Sequence, residues 1–227
     1  MKNVLVIAAH PDDEVLGCGG TIARLTEEGA HVSVLILANG LTSRPDFDPA
    51  QTAAVLRVHH DRARRAGALL GAKEVRVAGF PDQKMDTVPL LEITQTIERE
   101  ISRLQPDTVF TQHGGDLNQD HVITFRATLT ATRPVASCPV RSVYAYEVGS
   151  STEWSFQQFE PRFAPQFFFD IGGRLDAKIA ALQIYESETR PFPHPRSPEA
   201  IRANALRWGS VAGLPAAEAF QLVRDIR

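Results

Sequence analysis

The strongest constraint on this chain is an apolar stretch, Val4 to Ala8, that runs directly into Ala9-His10-Pro11-Asp12-Asp13-Glu14. An unbroken apolar run of that length, ended by turn residues, reads as a strand buried on both faces. Ionisable side chains are rarely set at the end of such a strand without a use. In open α/β sheets ligands bind beyond the carboxyl ends of the strands, and His with Asp on one tight loop makes a chelating pair for a divalent metal. Asp12 or Asp13 could equally cap a following helix, expected from about Gly19. A cap accounts for one carboxylate and leaves His10 and two acids unexplained.

A second cluster strengthens the metal reading. The short β-rich run Asp107 to Thr111 leads into His113-Gly114-Gly115-Asp116-Leu117-Asn118-Gln119-Asp120-His121, and two of the chain's seven His fall in this loop. Catalytic zinc sites usually take three protein ligands and keep a fourth position for water. His10, Asp13 and His121 would supply such a set from two strand ends.

These residues carry a resemblance. The strand followed by Ala9–Glu14, the segment Gly17-Cys18-Gly19-Gly20 read as opening a helix, and the later Gly115–His121 loop resemble the LmbE-like, or PIG-L, family of zinc-dependent N-deacetylases. Members of that family remove acetyl groups from N-acetylglucosamine-type sugars on glycolipids, thiol-cofactor precursors and other glycoconjugates. Phe80-Pro81-Asp82 with Asp86, Pro106-Asp107, Tyr185-Glu186-Ser187-Glu188 and Pro193-His194-Pro195-Arg196-Ser197 are similar to one branch of it, so the likeness spans nearly the whole chain.

The resemblance implies His10, Asp13 and His121 as metal ligands, zinc as the metal with iron(II) as an alternative, and Asp12 as general base. Where some branches carry a His in the distal loop, this chain has Asn118. Asn can donate a hydrogen bond to an oxyanion or sugar hydroxyl, but not a proton. Protonation of the leaving amine then falls to Asp12, His194 or His113. Asp120 is expected either to orient an imidazole or to cap a helix over Val122–Thr132. Arg57, His113 and Trp154 are candidate substrate contacts, although for Arg57, with His59 and His60 beside it, a solvated helix face is the favoured reading.

The rest of the chain reads as one α/β domain over residues 1–227, a Rossmann-like, mostly parallel sheet flanked by helices. Strands are expected at Asn3–Ala8, His31–Leu37, Glu74–Val77, Thr108–Thr111, Ser142–Glu147 and Gln166–Asp170. Helices are expected near Leu175–Tyr185 and Pro198–Val211. Gly29 and Gly71 stand where helix C-terminal glycines belong, and Asp48-Pro49-Ala50-Gln51 forms an N-terminal capping signal. The C-terminal third is expected to close over the sheet edge and shape the pocket. Most late aromatics, Tyr144 to Phe169, are expected to pack in the core, with Trp154 at a pocket rim.

Composition narrows the setting. A net charge of −3 leaves no basic stripe for nucleic acid, and Lys occurs only at positions 2, 73, 84 and 178. The Arg residues would suit a phosphate-bearing or acidic glycoconjugate. Two Cys imply no disulfide framework, and Cys18 reads as a small packing residue. No segment reads as a signal peptide or membrane span, so a cytoplasmic location is expected, and homo-oligomers are open. The activity expected is removal of acetyl from an N-acetylated amino sugar. Its rivals are a related amidase for another acyl or thiol conjugate, a non-catalytic carbohydrate-binding module, and a nucleotide-binding protein suggested by the glycine-rich segment.

Overall fold

A computed structural model describes residues 1–40, 52–186 and 188–227. Strands β1 (Asn3–Ala8), β2 (His31–Ala38), β3 (Glu74–Phe80), β4 (Thr108–Gln112) and β5 (Ser142–Tyr146) run parallel. With β6 (Phe167–Asp170) and β7 (Ala217–Asp225) they form a sheet in the order β3-β2-β1-β4-β5-β7-β6, in which β7 lies antiparallel between β5 and β6.

The apolar run of β1 is continuous because both of its faces are covered. Val4, Val6 and Ala8 join one core with α1 (Asp13–Glu27), α2 (Thr52–Leu69), α5 (Leu175–Gln183) and α6 (Pro198–Ala212). Leu5, Ile7 and Ala9 join the opposite core with α3 (Leu90–Leu104) and α4 (Gln119–Ala131). Side chains alternate across a strand, so a strand between two helical layers has no polar face. Each fully buried Leu or Ile there contributes about 1.5–3 kcal/mol.

The strand order reverses between β1 and β4, the place in such sheets where ligands bind. The loop carrying His10, and the loop that leads into the first turn of α4 with His121, leave the carboxyl ends of these two strands. The sheet therefore puts both motif loops at one point.

Several expectations are corrected. Helix α1 starts at Asp13, so Gly17-Cys18-Gly19-Gly20 lies within it rather than at its start. Its small residues serve close packing: a Cβ on Gly17 would lie 2.1 Å from the Tyr146 ring, and one on Gly20 2.7 Å from Ile171. A mid-helix segment cannot be a phosphate-cradling turn, which removes the basis for a nucleotide site. The backbone there is held by a buried ion pair. Lys178 Nζ donates to the Leu16 carbonyl and to Glu218 Oε1, and the Glu218 carboxylate accepts from the N–H groups of Gly20 and Thr21.

Helix α4 is capped by Asn118, whose Oδ1 accepts from the Asp120 N–H at 3.0 Å, so the cap is Asn118 and not Asp120. Strand β7, which carries Glu218, had no counterpart in the sequence reading. The C-terminal third extends the sheet with β7 and the edge strand β6. Tyr144, Phe167 and Phe169 pack with Phe110 and Phe220, whereas Phe156 and Phe159 are exposed. His59 is buried, unlike the solvated face expected of it. The capping signal Asp48–Gln51 lies outside the described residues. Among those residues, no helix is long and apolar enough to cross a membrane.

Candidate metal centre

His10, Asp13 and His121 converge. One Asp13 oxygen, Oδ2, lies 3.3 Å from His10 Nδ1 and 3.3 Å from His121 Nε2, and the three ligand atoms fall within 4.8 Å of one another. All three residues are buried. Asp13 is aimed by local and distant donors: its Oδ2 accepts from the His10 N–H and from Gln112 Nε2, each at 2.8 Å. Gln112 closes β4, and its Oε1 lies 3.1 Å from the Tyr146 hydroxyl.

Each imidazole carries a carboxylate on its far nitrogen. His10 Nε2 is 2.9 Å from Asp120 Oδ2 and 3.3 Å from Asp82 Oδ1. Asp120 is itself fixed by the backbone N–H groups of Gln83, at 2.8 Å, and Met85, at 3.1 Å. His121 Nδ1 is 3.2 Å from Asp116 Oδ2, and Asp116 accepts from Ser151, Thr152 and the Asn118 N–H. Such outer carboxylates set the tautomer and orientation of ligating imidazoles.

The electrostatics ask for a cation. Burial opposes charge on His10, but hydrogen bonds to Asp120 and Asp13 outweigh it and push the pKa up to about 10. Burial likewise opposes charge on His121, and Asp13 and Asp116 raise it to about 9. Asp13 is held well below the usual carboxylate range: the two imidazoles outweigh its burial. Buried atoms of the set, Asp13 Oδ1 and His121 Nε2, have no hydrogen-bond partner. Two imidazoles and a carboxylate suit a divalent metal of the zinc or iron(II) kind, which would displace the protons that the surrounding carboxylates otherwise hold on the imidazoles. The donor set fits the group the sequence implied.

Asp12 stands beside this set, in a backbone conformation with φ 113° and ψ −28° and with no side-chain capping bond. Positive φ at a non-glycine residue stores strain and clusters at functional sites. Glu14 Oε2 accepts from its N–H at 3.1 Å, and Tyr185 in turn donates to Glu14 Oε1. Arg196 Nη1 donates to Asp12 Oδ2 at 2.7 Å. Burial raises the Asp12 carboxyl well above its usual range; Arg196 opposes that shift, and Asp13, Glu188 and Glu14 reinforce it.

A cavity of about 230 Å³ opens over these groups, lined by His10, Pro11, Asp12, Gly40, Asp82, Gln83, Asn118, Glu188 and Arg196. Asn118 presents its side chain here; because Oδ1 caps α4, Nδ2 is the end left for a ligand. A second cavity of about 260 Å³, walled by Glu147, Lys178, Trp208 and Glu218 among others, lies behind residues 193–195 and shares no lining residue with the first.

The remaining candidates fall outside the cavity wall. His194 accepts the Arg196 N–H on Nδ1 at 3.1 Å, which places its own proton on Nε2, and its ring meets Trp154 edge-on at 5.5 Å. Burial and then Arg196 lower its pKa, so its imidazole is neutral near pH 7. His113 is buried against Phe163 and is lowered chiefly by burial. Arg57 is exposed on α2, and Trp154 is partly exposed. The sequence reading assigned no role to Gln112, Asp116 or Arg196. Asp116 stood in the same loop as His121, and Arg196 in the quoted Pro193–Ser197 segment.

A chelating set at the switch point of a parallel sheet, with a buried carboxylate beside it and an almost wholly polar cavity above, defines a metal-dependent hydrolase. The chain belongs to the PIG-L family, described as GlcNAc-PI de-N-acetylase, whose profile matches residues 5–132. It is similar to the diacetylchitobiose deacetylase of Thermococcus kodakarensis, with 26% identity over 241 residues that cover 100% of this chain and 85% of that one. Among solved structures, the conserved protein TT1542 of Thermus thermophilus matches with a TM-score of 0.77 and 27% identity, covering 100% of this chain and 97% of that one. GalB, a 4-carboxy-2-hydroxymuconate hydratase of Pseudomonas putida KT2440, matches with a TM-score of 0.79 and 24% identity, covering 100% and 98%. That last likeness shows the fold alone, and with it that the fold does not fix the reaction.

Proposed function

We propose that this protein is a metal-dependent N-deacetylase that hydrolyses the acetamide of an N-acetylated amino sugar, releasing acetate and the free amine. One observation carries the reading: His10, Asp13 and His121 converge beside an unligated buried carboxylate, Asp12, on the wall of a polar cavity. A divalent metal held by that set, with zinc the first choice, supplies Lewis acidity toward the amide carbonyl and makes a water acidic near neutral pH.

The chain's own groups do the rest. Asp12 accepts a proton from the attacking water and later returns it to the leaving nitrogen, so one carboxylate serves as base and then acid. Asn118 Nδ2, on the cavity wall, is the donor assigned to the oxygen that gains charge as the carbonyl becomes tetrahedral; His194, outside that wall, could reach the oxygen only with a shift of its segment. Asp120, Asp82 and Asp116 keep the two imidazoles aimed. The cavity's hydroxyl-matching lining, Gln83, Asn118, Asp82 and Glu188, favours a sugar over an apolar acyl chain.

The test is acetate release by the metal-loaded protein from N-acetylhexosamines, free and as lipid, nucleotide, oligosaccharide and thiol conjugates, with a chelated control. Chelator-sensitive release from any member supports the reading. Silence across the panel with metal bound in stoichiometric amount overturns it.

A further inference from the structure

We propose that Arg196 is the positioning residue for Asp12, fixing the direction of its carboxylate and deciding which of its oxygens meets the attacking water. This rests on the hydrolytic reading above. It concerns a residue outside the span matched by the family profile, 5–132.

The argument starts from what Asp12 lacks. Its backbone, at φ 113°, is in a conformation that L residues rarely adopt, and its carboxylate makes no capping bond to α1. The local chain therefore does not hold the side chain. The Arg196 contact comes from 184 residues away: Nη1 donates to Oδ2 at 2.7 Å, to one carboxylate oxygen and not to both. With Oδ2 engaged, Oδ1 is the oxygen assigned to the water's proton.

Arg196 is itself held from several directions, as a positioning group must be. Its Nε donates to Ser150 Oγ at 2.8 Å, its N–H to His194 Nδ1 at 3.1 Å, and Nη1 also lies 3.4 Å from Glu188 Oε2. The next residue, Ser197, is fully buried and caps α6 by accepting from the Ala200 N–H at 3.1 Å. The guanidinium is thus fixed at the head of a helix and turned back toward the metal loop. Its side chain is 21% exposed and lines the cavity, where a residue that merely pinned the loop would have no need to be.

The test combines kinetics with a double-mutant cycle between Arg196→Ala and Asp12→Asn. If Arg196 acts through Asp12, Arg196→Ala alone lowers kcat about 10²-fold, the scale of a misplaced catalytic group, with KM and metal content within about threefold of the parent. The same change on the Asp12→Asn background then costs little more, because the group it positions is gone. Added guanidinium chloride restores part of the rate to Arg196→Ala. A rise in KM with kcat unchanged would make Arg196 a substrate contact, and full additivity of the two changes would break the link to Asp12; either result overturns the proposal.

Two further arms keep the outcome decisive. Ser150→Ala removes only the support for Nε and is expected to give a smaller fall in kcat of the same kind, so a misfolded Arg196→Ala does not end the test. The cycle is also read by thermal unfolding, where coupling between Asp12 and Arg196 is expected whatever the substrate. Wild-type protein silent on every N-acetyl amide defeats the deacetylase reading; an active wild type with Arg196→Ala at near-parent kcat, or an absence of thermal coupling, defeats this one.

Discussion

The two halves of this chain reach the same site in different ways. In the half that runs to α4, the chemistry is local: His10, Asp12 and Asp13 lie where β1 turns into α1, and Asp116, Asn118, Asp120 and His121 lie where β4 leads into α4. In the C-terminal third, Glu188 and Arg196 come from a connection between α5 and α6 and meet the site only through the fold. The first half is built of parallel strands whose register brings two loops together; the second adds β5, β7 and β6 and folds back over the first. The candidate ligands stand on short segments that can be read along the chain, whereas the Arg196–Asp12 contact joins residues 184 apart.

If the N-terminal loops hold the metal, the largest effect comes from removing a ligand. His121→Ala is expected to abolish turnover and leave the protein without stoichiometric metal, and added zinc restores chelated wild type but not the variant; elemental analysis beside acetate release checks this. Full metal occupancy in His121→Ala would move the third ligand elsewhere, with His113 the first place to look.

Asp12→Asn separates binding from chemistry within the same loop. Metal content is expected to stay at the parent level while kcat falls about 10²- to 10⁴-fold, the usual worth of a general base. A near-normal rate would take Asp12 out of the reaction.

The C-terminal third is expected to matter to stability through Lys178 and Glu218. Lys178→Met leaves the Glu218 carboxylate buried without its cation, at a cost of about 3–5 kcal/mol, measured by denaturant unfolding. A loss under about 1 kcal/mol would mean that the N–H groups of Gly20 and Thr21 suffice for Glu218.

Asp120→Ala is expected to weaken metal binding by about 10- to 100-fold without removing a ligand, as read by competition with a chelating dye. Unchanged affinity would show that Asp82 alone can orient His10.

The smallest effect is a pH dependence in the second cavity, at Glu147. Burial raises the Glu147 carboxyl pKa, while hydrogen bonds from Asn204 and Trp208 oppose the shift. A carboxyl whose folded pKa lies above its unfolded value favours the fold below the unfolded pKa, and that contribution is lost as pH rises through the folded value. Glu147→Gln, which keeps an acceptor, should therefore raise the unfolding temperature by a few degrees at about pH 8 and leave it unchanged near about pH 4, the ordinary Glu range. Equal shifts at both pH values would assign the effect to packing instead.

Much of this is legible in the sequence. Five strand expectations, from Asn3–Ala8 to Ser142–Glu147, fall on β1 to β5 within a few residues, because β1 and β2 are nearly continuous apolar runs and β3 to β5 are short segments rich in β-branched or aromatic residues, bounded by turn residues or charge. Helix boundaries were less readable. Gly17–Gly20 looked like a helix start because small residues mark turns, but these are small to let Tyr146 and Ile171 approach. β7 went unread because Ala217-Glu218-Ala219-Phe220 has little local strand signal and gains its order from the strands on either side.

The amino-acid order alone specified the two loops and hence the chelating residue types, since ligands spaced within a turn need only local geometry to share a face. Which nitrogen of each imidazole lies near Asp13, which carboxylate meets the other nitrogen, and which cation meets Asp12 were decided by tertiary structure. Those choices depend on distances between residues tens to hundreds of positions apart, and no local spacing records them.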